Sequence, residues 1–321
     1  MRSDVMKHYG LTRDLPRSGY FETAQLREVF DDIKAAIHGG KLLALVGLVG
    51  CGKTTTLQRL VETMKEEKEI LVSQSLAVDK HRVNLGTLMT ALFYDLVNEK
   101  DFKIPTQPEK RERKLIEVIA KRRKSIALFV DEAHDLHHKT LVGLKRLIEL
   151  VQHAGGTLSV VLVGHPKLRN DLRRPALEEI GARTEMFWLE GIKGQERAYI
   201  NWLLTQCTKS DSPDILTEEA LERLADGLST PLQIEQYLTL AFEAGYLVGQ
   251  NPVTVEIIES VLAADLEALE ATLTRHGYNT RALAELLNVR PAEIRAFLYG
   301  QLAPGRTQEL HAQLLAAGLP M

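Results

Sequence analysis

Two groups of residues in this chain have the types and spacing that phosphate chemistry needs. The first is Gly47-Leu48-Val49-Gly50-Cys51-Gly52-Lys53-Thr54, with Thr55 behind it, which completes the pattern G-x-x-x-x-G-K-[ST]. Backbone N–H groups of such a loop surround phosphate oxygens, and the helix that follows adds its positive end. Lys53 is placed to reach the β/γ-phosphates, and the Thr54 hydroxyl to ligate Mg²⁺. The second group is Asp131-Glu132, two carboxylates that close the apolar run Ile126–Val130. A carboxylate at the end of a strand beside the phosphate loop can hold Mg²⁺ through water, which assigns Asp131 to the metal. Side chains of neighbouring residues diverge there, so Glu132 is free to polarise an attacking water. His134, His137 and His138 have helical spacings that invite a zinc reading. With no cysteine nearby, and with an oxygen-rich Mg²⁺ site already accounting for the acids, that reading is set aside.

These groups need a scaffold of strands that end side by side. Apolar runs at Leu42–Val46, Ile70–Ser73, Ile126–Val130, Leu158–Val163 and Glu185–Leu189 read as strands. Amphipathic stretches lie between them, at Thr55–Lys65, Leu85–Val97, Glu109–Lys121 and Thr140–Gln152. Alternation of this kind predicts an α/β fold, a mainly parallel sheet with crossover helices. After Gly194 strand signals vanish, and helices are expected at Thr217-Glu218-Glu219-Ala220 and from Pro231 to Tyr246. The expected organisation is an N-terminal extension (1–19), an α/β nucleotide-binding core (20–192), a helical lid (193–265) and a small C-terminal helical module (266–321).

Composition narrows the class. Of 321 residues, 45% are apolar and 26% charged, as in ordinary globular proteins. A net charge of −3 and a pI near 6.4 exclude a globally basic nucleic-acid coat but leave room for local patches. The only two cysteines, Cys51 and Cys207, cannot build a disulfide framework, which suits a reducing compartment. The N-terminus MRSDVMKHYG lacks an apolar signal core, and no run approaches membrane-spanning length. A cytoplasmic location is expected.

The strand Val160–Val163 ends in Gly164-His165-Pro166, and here the chain resembles the AAA+ ATPases, which implies ATP with Mg²⁺ as cofactors and ATP hydrolysis as the activity. The resemblance implies that His165 occupies the position of a polar residue that contacts the γ-phosphate or the water, and so counts with Lys53 and Glu132 among the catalytic candidates. The family more often has Asn, Ser, Thr or Gln there, and a histidine capping the helix at Pro166 is the alternative. The resemblance also implies an arginine donated to a neighbouring subunit's γ-phosphate. Arg183, just before the last strand, matches that placement, with Arg173 and Arg174 as the other candidates and a plain solvated arginine as the alternative. Relatives often carry a lid arginine in a Gly-x-Pro-Arg-x-Ile pattern. The matching stretch is Ser229-Thr230-Pro231-Leu232-Gln233-Ile234, so that arginine is replaced by Leu232, which implies weak coupling of the lid to nucleotide state or slow hydrolysis.

The order Tyr20-Phe21, GLVGCGKTT, VDEAHDL and VVLVGHPKLRNDLRRP is similar to the bacterial group containing the secretion ATPase ExeA and the transposition ATPases MuB, TnsC, TniB and IstB. Secretion-type members carry a membrane segment and a cell-wall-binding region that this sequence lacks, which favours the DNA-directed branch. That branch implies a ring or helical filament on duplex DNA of any sequence, recruitment of a transposase, and disassembly on hydrolysis. The alternatives are an ExeA-like assembly ATPase of the cell envelope and a nucleotide-gated switch without DNA.

Basic residues crowd one region: Lys103, Lys110, Arg111, Arg113, Lys114, Lys121, Arg122, Arg123 and Lys124. They suit phosphate contacts without sequence reading, or simply a solvated helix face. The resemblance points instead to Lys80 and Arg82, in the loop after the second strand, as DNA contacts. The stretch Tyr278–Leu298 reads as two short helices around an Asn-Val turn, with Leu283, Leu286, Leu287, Val289, Ile294 and Phe297 as their shared core. This resembles a helix-turn-helix with Arg290 and Arg295 near the front of its second helix, serving either a weak DNA contact or transposase docking.

Overall fold

The computed structural model describes residues 1–74, 83–97, 103–210, 214–262, 269–299 and 301–319. The chain starts with helices α1 (Ser3–His8) and α2 (Ala24–Ile37), then strand β1 (Leu42–Gly47), helix α3 (Lys53–Glu67) and strand β2 (Leu71–Gln74). Helices α4 (Leu85–Leu96) and α5 (Pro108–Ala120) lead to β3 (Ile126–Val130), and α6 (His138–His153) to β4 (Leu158–Gly164). Helices α7 (Pro166–Leu172) and α8 (Glu178–Gly181) precede β5 (Glu185–Leu189). The remainder is helical: α9 (Glu196–Cys207), α10 (Glu218–Gly227), α11 (Pro231–Leu247), α12 (Val255–Val261), α13 (Leu269–Arg275), α14 (Thr280–Leu287), α15 (Pro291–Leu298) and α16 (Pro304–Ala316).

Two compact units emerge, one made of Ala24–Gly47 and Lys53–Leu189, the other of Met1–Thr23, Leu48–Gly52 and Glu190–Met321. The first is the α/β unit. Its strands run in the order β2-β3-β4-β1-β5, and every pairing is parallel. Parallel sheets are covered on both faces, so their strands read as unbroken apolar runs rather than alternating ones. Accordingly β1, β3 and β4 are buried along their whole length. Leu42, Ala44, Val46, Leu128, Val130, Val160 and Leu162 pack with α4, α5 and α6 on one face. The intervening Leu43, Leu45, Phe129, Val161 and Val163 are equally buried, on the side that α2 and α3 cover.

All five apolar runs become strands, with two instructive shifts. Ile70 is buried, yet pairing starts at Leu71, opposite Ile126, and carries β2 on to Gln74. Helix α3 starts at Lys53 rather than Thr55, so the lysine and threonine of the phosphate loop form the first helical turn. Lys68, at φ +57, closes that helix, and its carbonyl accepts from Lys124 Nζ at 2.7 Å.

The second unit is built on caps and apolar stripes. Thr217, Thr230 and Asn279 each accept a backbone N–H from the first turn of α10, α11 and α14, and proline opens α11 and α15. Helices α9 to α12 share one core with Val5, Tyr9, Leu11 and Leu15 of the N-terminus. A separate small core gathers Leu273, Tyr278, Leu283, Ile294 and Phe297 with Leu310, Leu314 and Leu319. Leu286, Leu287 and Val289 are only partly buried at its margin, because α16 supplies leucines that the two-helix reading did not include. Between α14 and α15 the turn is made by Asn288 at φ +53, a left-handed position asparagine tolerates.

Candidate nucleotide site

Strand β1 delivers the chain to Gly47, and α3 resumes at Lys53. In the loop between them Gly50 and Gly52 hold φ values of +81 and +94, where a side chain would be strained. The Cys51 N–H closes a turn on the Leu48 carbonyl at 3.3 Å. Leu48 to Gly52 belong to the helical unit, where two contacts bear on the loop. The Leu232 N–H donates to the Gly50 carbonyl at 3.3 Å, and a Cβ added to Gly50 would stand 2.6 Å from that of Leu232. The Val49 N–H donates to the Arg275 carbonyl at 2.9 Å. The residue found where a lid arginine would fall therefore lies against the loop as a hydrocarbon.

In the α/β unit the Thr54 hydroxyl donates to Asp131 Oδ2 at 3.0 Å, while Asp131 Oδ1 accepts the Glu132 N–H at 2.9 Å. Two hard oxygen ligands converge there, the donor set a magnesium ion prefers. The residues present fit the metal. Lys53 is buried at 5% exposure on the first turn of α3.

Glu132 turns away from that pair. Its backbone is left-handed at φ +53, and the 3-10 turn Ala133–Asp135 follows directly. This tight reversal carries His134 back beside its neighbour, with Nδ1 3.4 Å from Glu132 Oε2. From the adjacent strand tip, His165 Nε2 stands 3.5 Å from the same oxygen. The two imidazole centroids are 4.1 Å apart. His165 is the N-cap residue of α7, but its side chain makes no capping bond. Burial, then the charges of Lys53 and His134, push its pKa down to about 3, so the ring is neutral at physiological pH. His137 serves instead as a true cap, its Nδ1 accepting the Lys139 N–H, with the His138 ring beside it.

Two positioning features escaped the sequence reading. Gly164 leaves room for His134, because a Cβ there would lie 3.3 Å from the His134 nitrogen and 3.4 Å from its Nδ1. Lys167 bridges the His134 carbonyl (3.3 Å) and Asp171 (2.7 Å), joining α7 to the turn after β3. The Lys167–Asp171 spacing of i,i+4 was the legible signal.

The arginines are distributed over the surface. Arg183 is exposed and bonds Glu149 at 3.0 Å, with Glu179 at 3.8 Å. Arg174 pairs with Asp171, and Arg169 lies over the Trp188 ring. Lys80 and Arg82 lie outside the described residues. Within the basic run, several members hold structure together. Arg111 donates to the carbonyls of Pro105 and Thr106, Arg122 to that of Leu96, and Lys114 pairs with Glu117. Arg290 and Arg295 are exposed on the small helical core. Among the described residues, no helix is long and apolar enough to cross a membrane.

Comparison with known proteins places this geometry. Residues 36–172 match the family model described as an AAA domain. The chain is 30% identical over 216 residues to General secretion pathway protein A of Aeromonas hydrophila. That match takes in 64% of this chain and 38% of the relative, so the chain spans well under half of that protein's length. Among solved structures, Drosophila ORC bound to DNA is similar with a TM-score of 0.55 and 16% identity, over 97% of this chain and 83% of that one. Cdc6p of Pyrobaculum aerophilum is similar with a TM-score of 0.52 and 16% identity, over 99% and 90%. The Aeropyrum pernix ORC1 protein in complex with DNA gives 0.51 and 15%, over 97% and 87%. The chain therefore has the AAA+ P-loop NTPase fold, and its residues 36–172 match an AAA domain.

Proposed function

We propose that this ATPase is an ATP-controlled assembly factor on duplex DNA and, within that class, a DNA-transposition accessory protein that selects a target and recruits a transposase. In its hydrolytic site Lys53 holds the β/γ-phosphates of ATP, and Thr54 and Asp131 hold Mg²⁺. Bound there, Mg²⁺ would supply positive charge to offset that of the phosphates. Glu132 takes the proton of the attacking water, and the neutral His165 donates one hydrogen bond near the γ-phosphate. Arg183 leaves its exposed pairing with Glu149, a weak contact of the solvated kind, to reach a neighbouring subunit's nucleotide.

The observation that carries the DNA reading is the helix pair α14–α15 with its left-handed Asn288 turn and exposed Arg290 and Arg295. Such a pair supplies contacts without requiring a basic chain overall. Similarity in fold to ORC structures determined on DNA supports the same reading. The proposed form is a cytoplasmic ring or filament that ATP assembles and hydrolysis dissolves, with the α14–α15 module shared between DNA and transposase.

A second reading has its own support. The relation to General secretion pathway protein A favours an ExeA-like ATPase that assembles a cell-envelope machine. Sedimentation with duplex DNA of arbitrary sequence and a non-hydrolysable ATP analogue separates the two. The transposition reading expects protein in the DNA pellet only with the analogue, and loss of that protein as salt rises. No DNA-associated protein at high concentration and low salt would remove it in favour of the envelope reading.

A further inference from the structure

Glu132 and two histidines have the chemistry and spacing of a metal-ligand set. Glu132, His134 and His165 each offer one ligand atom, and these atoms all lie within 4.8 Å of one another. Four ligands held tetrahedrally at about 2.0–2.1 Å from a zinc ion stand roughly 3.4 Å apart. The carboxylate oxygen of Glu132 stands 3.4 Å from one imidazole nitrogen and 3.5 Å from the other.

The fold holds these side chains from independent elements. The left-handed Glu132 and the turn after β3 set the first two, and the tip of β4 sets the third. Gly164 keeps open the space His134 occupies, and Lys167 ties the His134 carbonyl to α7. The chemistry differs from that of the Thr54–Asp131 pair. Two imidazoles and one carboxylate, with a fourth position for solvent, suit a borderline-soft ion, whereas a hydroxyl and a carboxylate suit magnesium.

We propose that Glu132, His134 and His165 form a second divalent-metal site, selective for zinc over magnesium, whose occupation halts ATP hydrolysis. With Oε2 on the ion, the Glu132 carboxylate loses basicity toward the attacking water, and the His165 nitrogen that faces Glu132 is committed to the ion. Zinc would thus hold the protein in its ATP-bound state. The blocking effect rests on Glu132 being the base, whereas binding of the ion does not.

The experiment uses the full chain and a variant outside the hydrolytic set, His134→Ala, with His134→Asn as a second in case the first does not fold. Cobalt(II) titrated in excess magnesium is expected to give the intense visible bands of a four-coordinate site, which zinc abolishes. His134→Ala should lose those bands, weakening the ion by more than the roughly 10–100-fold that changes behind metal ligands cost. Micromolar zinc should lower magnesium-supported turnover at least about tenfold in the natural protein. In His134→Ala, turnover should resist zinc when compared with that variant's own zinc-free rate. Absent bands, or bands undiminished in both variants, would overturn the site. Bands accompanied by unchanged or faster turnover would overturn the blocking effect and, with it, the role of Glu132.

Discussion

The α/β unit and the helical unit place different kinds of group at their parts of the candidate site. In the first, reactive groups sit at the ends of paired strands, where the ladder fixes the backbone: Asp131 and Glu132 after β3, His165 after β4. Each of these side chains meets another polar group, as Asp131 meets Thr54 and Glu132 meets the two histidines. In the second, what lies against the loop is the exposed Leu232 and a backbone carbonyl, that of Arg275. A charged lid arginine would bind the transferring phosphate in the transition state, whereas a leucine offers only packing. On the proposed reading, the sheet would supply the hydrolysis, and a leucine in place of a lid arginine would make it slow.

The contrast can be broken from either side. The largest effect is expected from Lys53→Ala, which removes the one buried cation of the loop. Titration with a fluorescent nucleotide should show affinity falling by about 3 kcal/mol, more than 100-fold. Glu132→Gln should separate binding from chemistry, with nucleotide affinity kept and turnover lowered by about 10²–10⁴-fold. Hydrolysis at the natural rate in that variant would remove Glu132 as the base.

From the helical side, Leu232→Arg puts the missing charge back beside Gly50. Tighter ATP binding is expected, by roughly tenfold or less, together with faster turnover. An unchanged affinity would mean that the lid helix does not face the phosphates. The smallest effect concerns Glu235, whose carboxyl burial pushes upward while the Tyr199 hydroxyl, donating at 2.8 Å, partly offsets the shift. A raised carboxyl pKa favours the folded state below the unfolded value, and that stability is lost as pH rises through the folded value. Glu235→Gln should therefore melt higher than the natural protein at pH 8, by about 1 kcal/mol or less, with a flatter pH dependence. Equal melting across pH would contradict it.

How far these features were legible in the sequence follows the same division. The strands announced themselves because a sheet buried on both faces needs unbroken apolar runs, and the loop because only glycines reach φ +81 and +94. Proline and capping residues marked α11, α14 and α15. The convergence of Glu132, His134 and His165 was hidden for two reasons. His165 lies far from the others along the chain and joins them only through the β3–β4 pairing. His134 is brought back by a left-handed glutamate, a conformation no side-chain pattern signals. The share of α13 and α16 in the small core, Leu273, Leu310 and Leu314, escaped because these leucines flank the helix-turn-helix pattern rather than forming part of it. The basic run stayed open in the sequence, since charge alone does not reveal that Arg111 and Arg122 donate to nearby carbonyls.

The most direct measurement is electron microscopy of ATP-loaded Glu132→Gln on long duplex DNA, beside the natural protein under the same conditions. If β3 and β4 carry the hydrolysis that dissolves a DNA-bound assembly, the variant should coat the duplex and persist after free ATP is removed, while the natural protein disperses. Bare DNA with the ATP-loaded variant, or natural-protein coats lasting as long as those of the variant, would contradict the account.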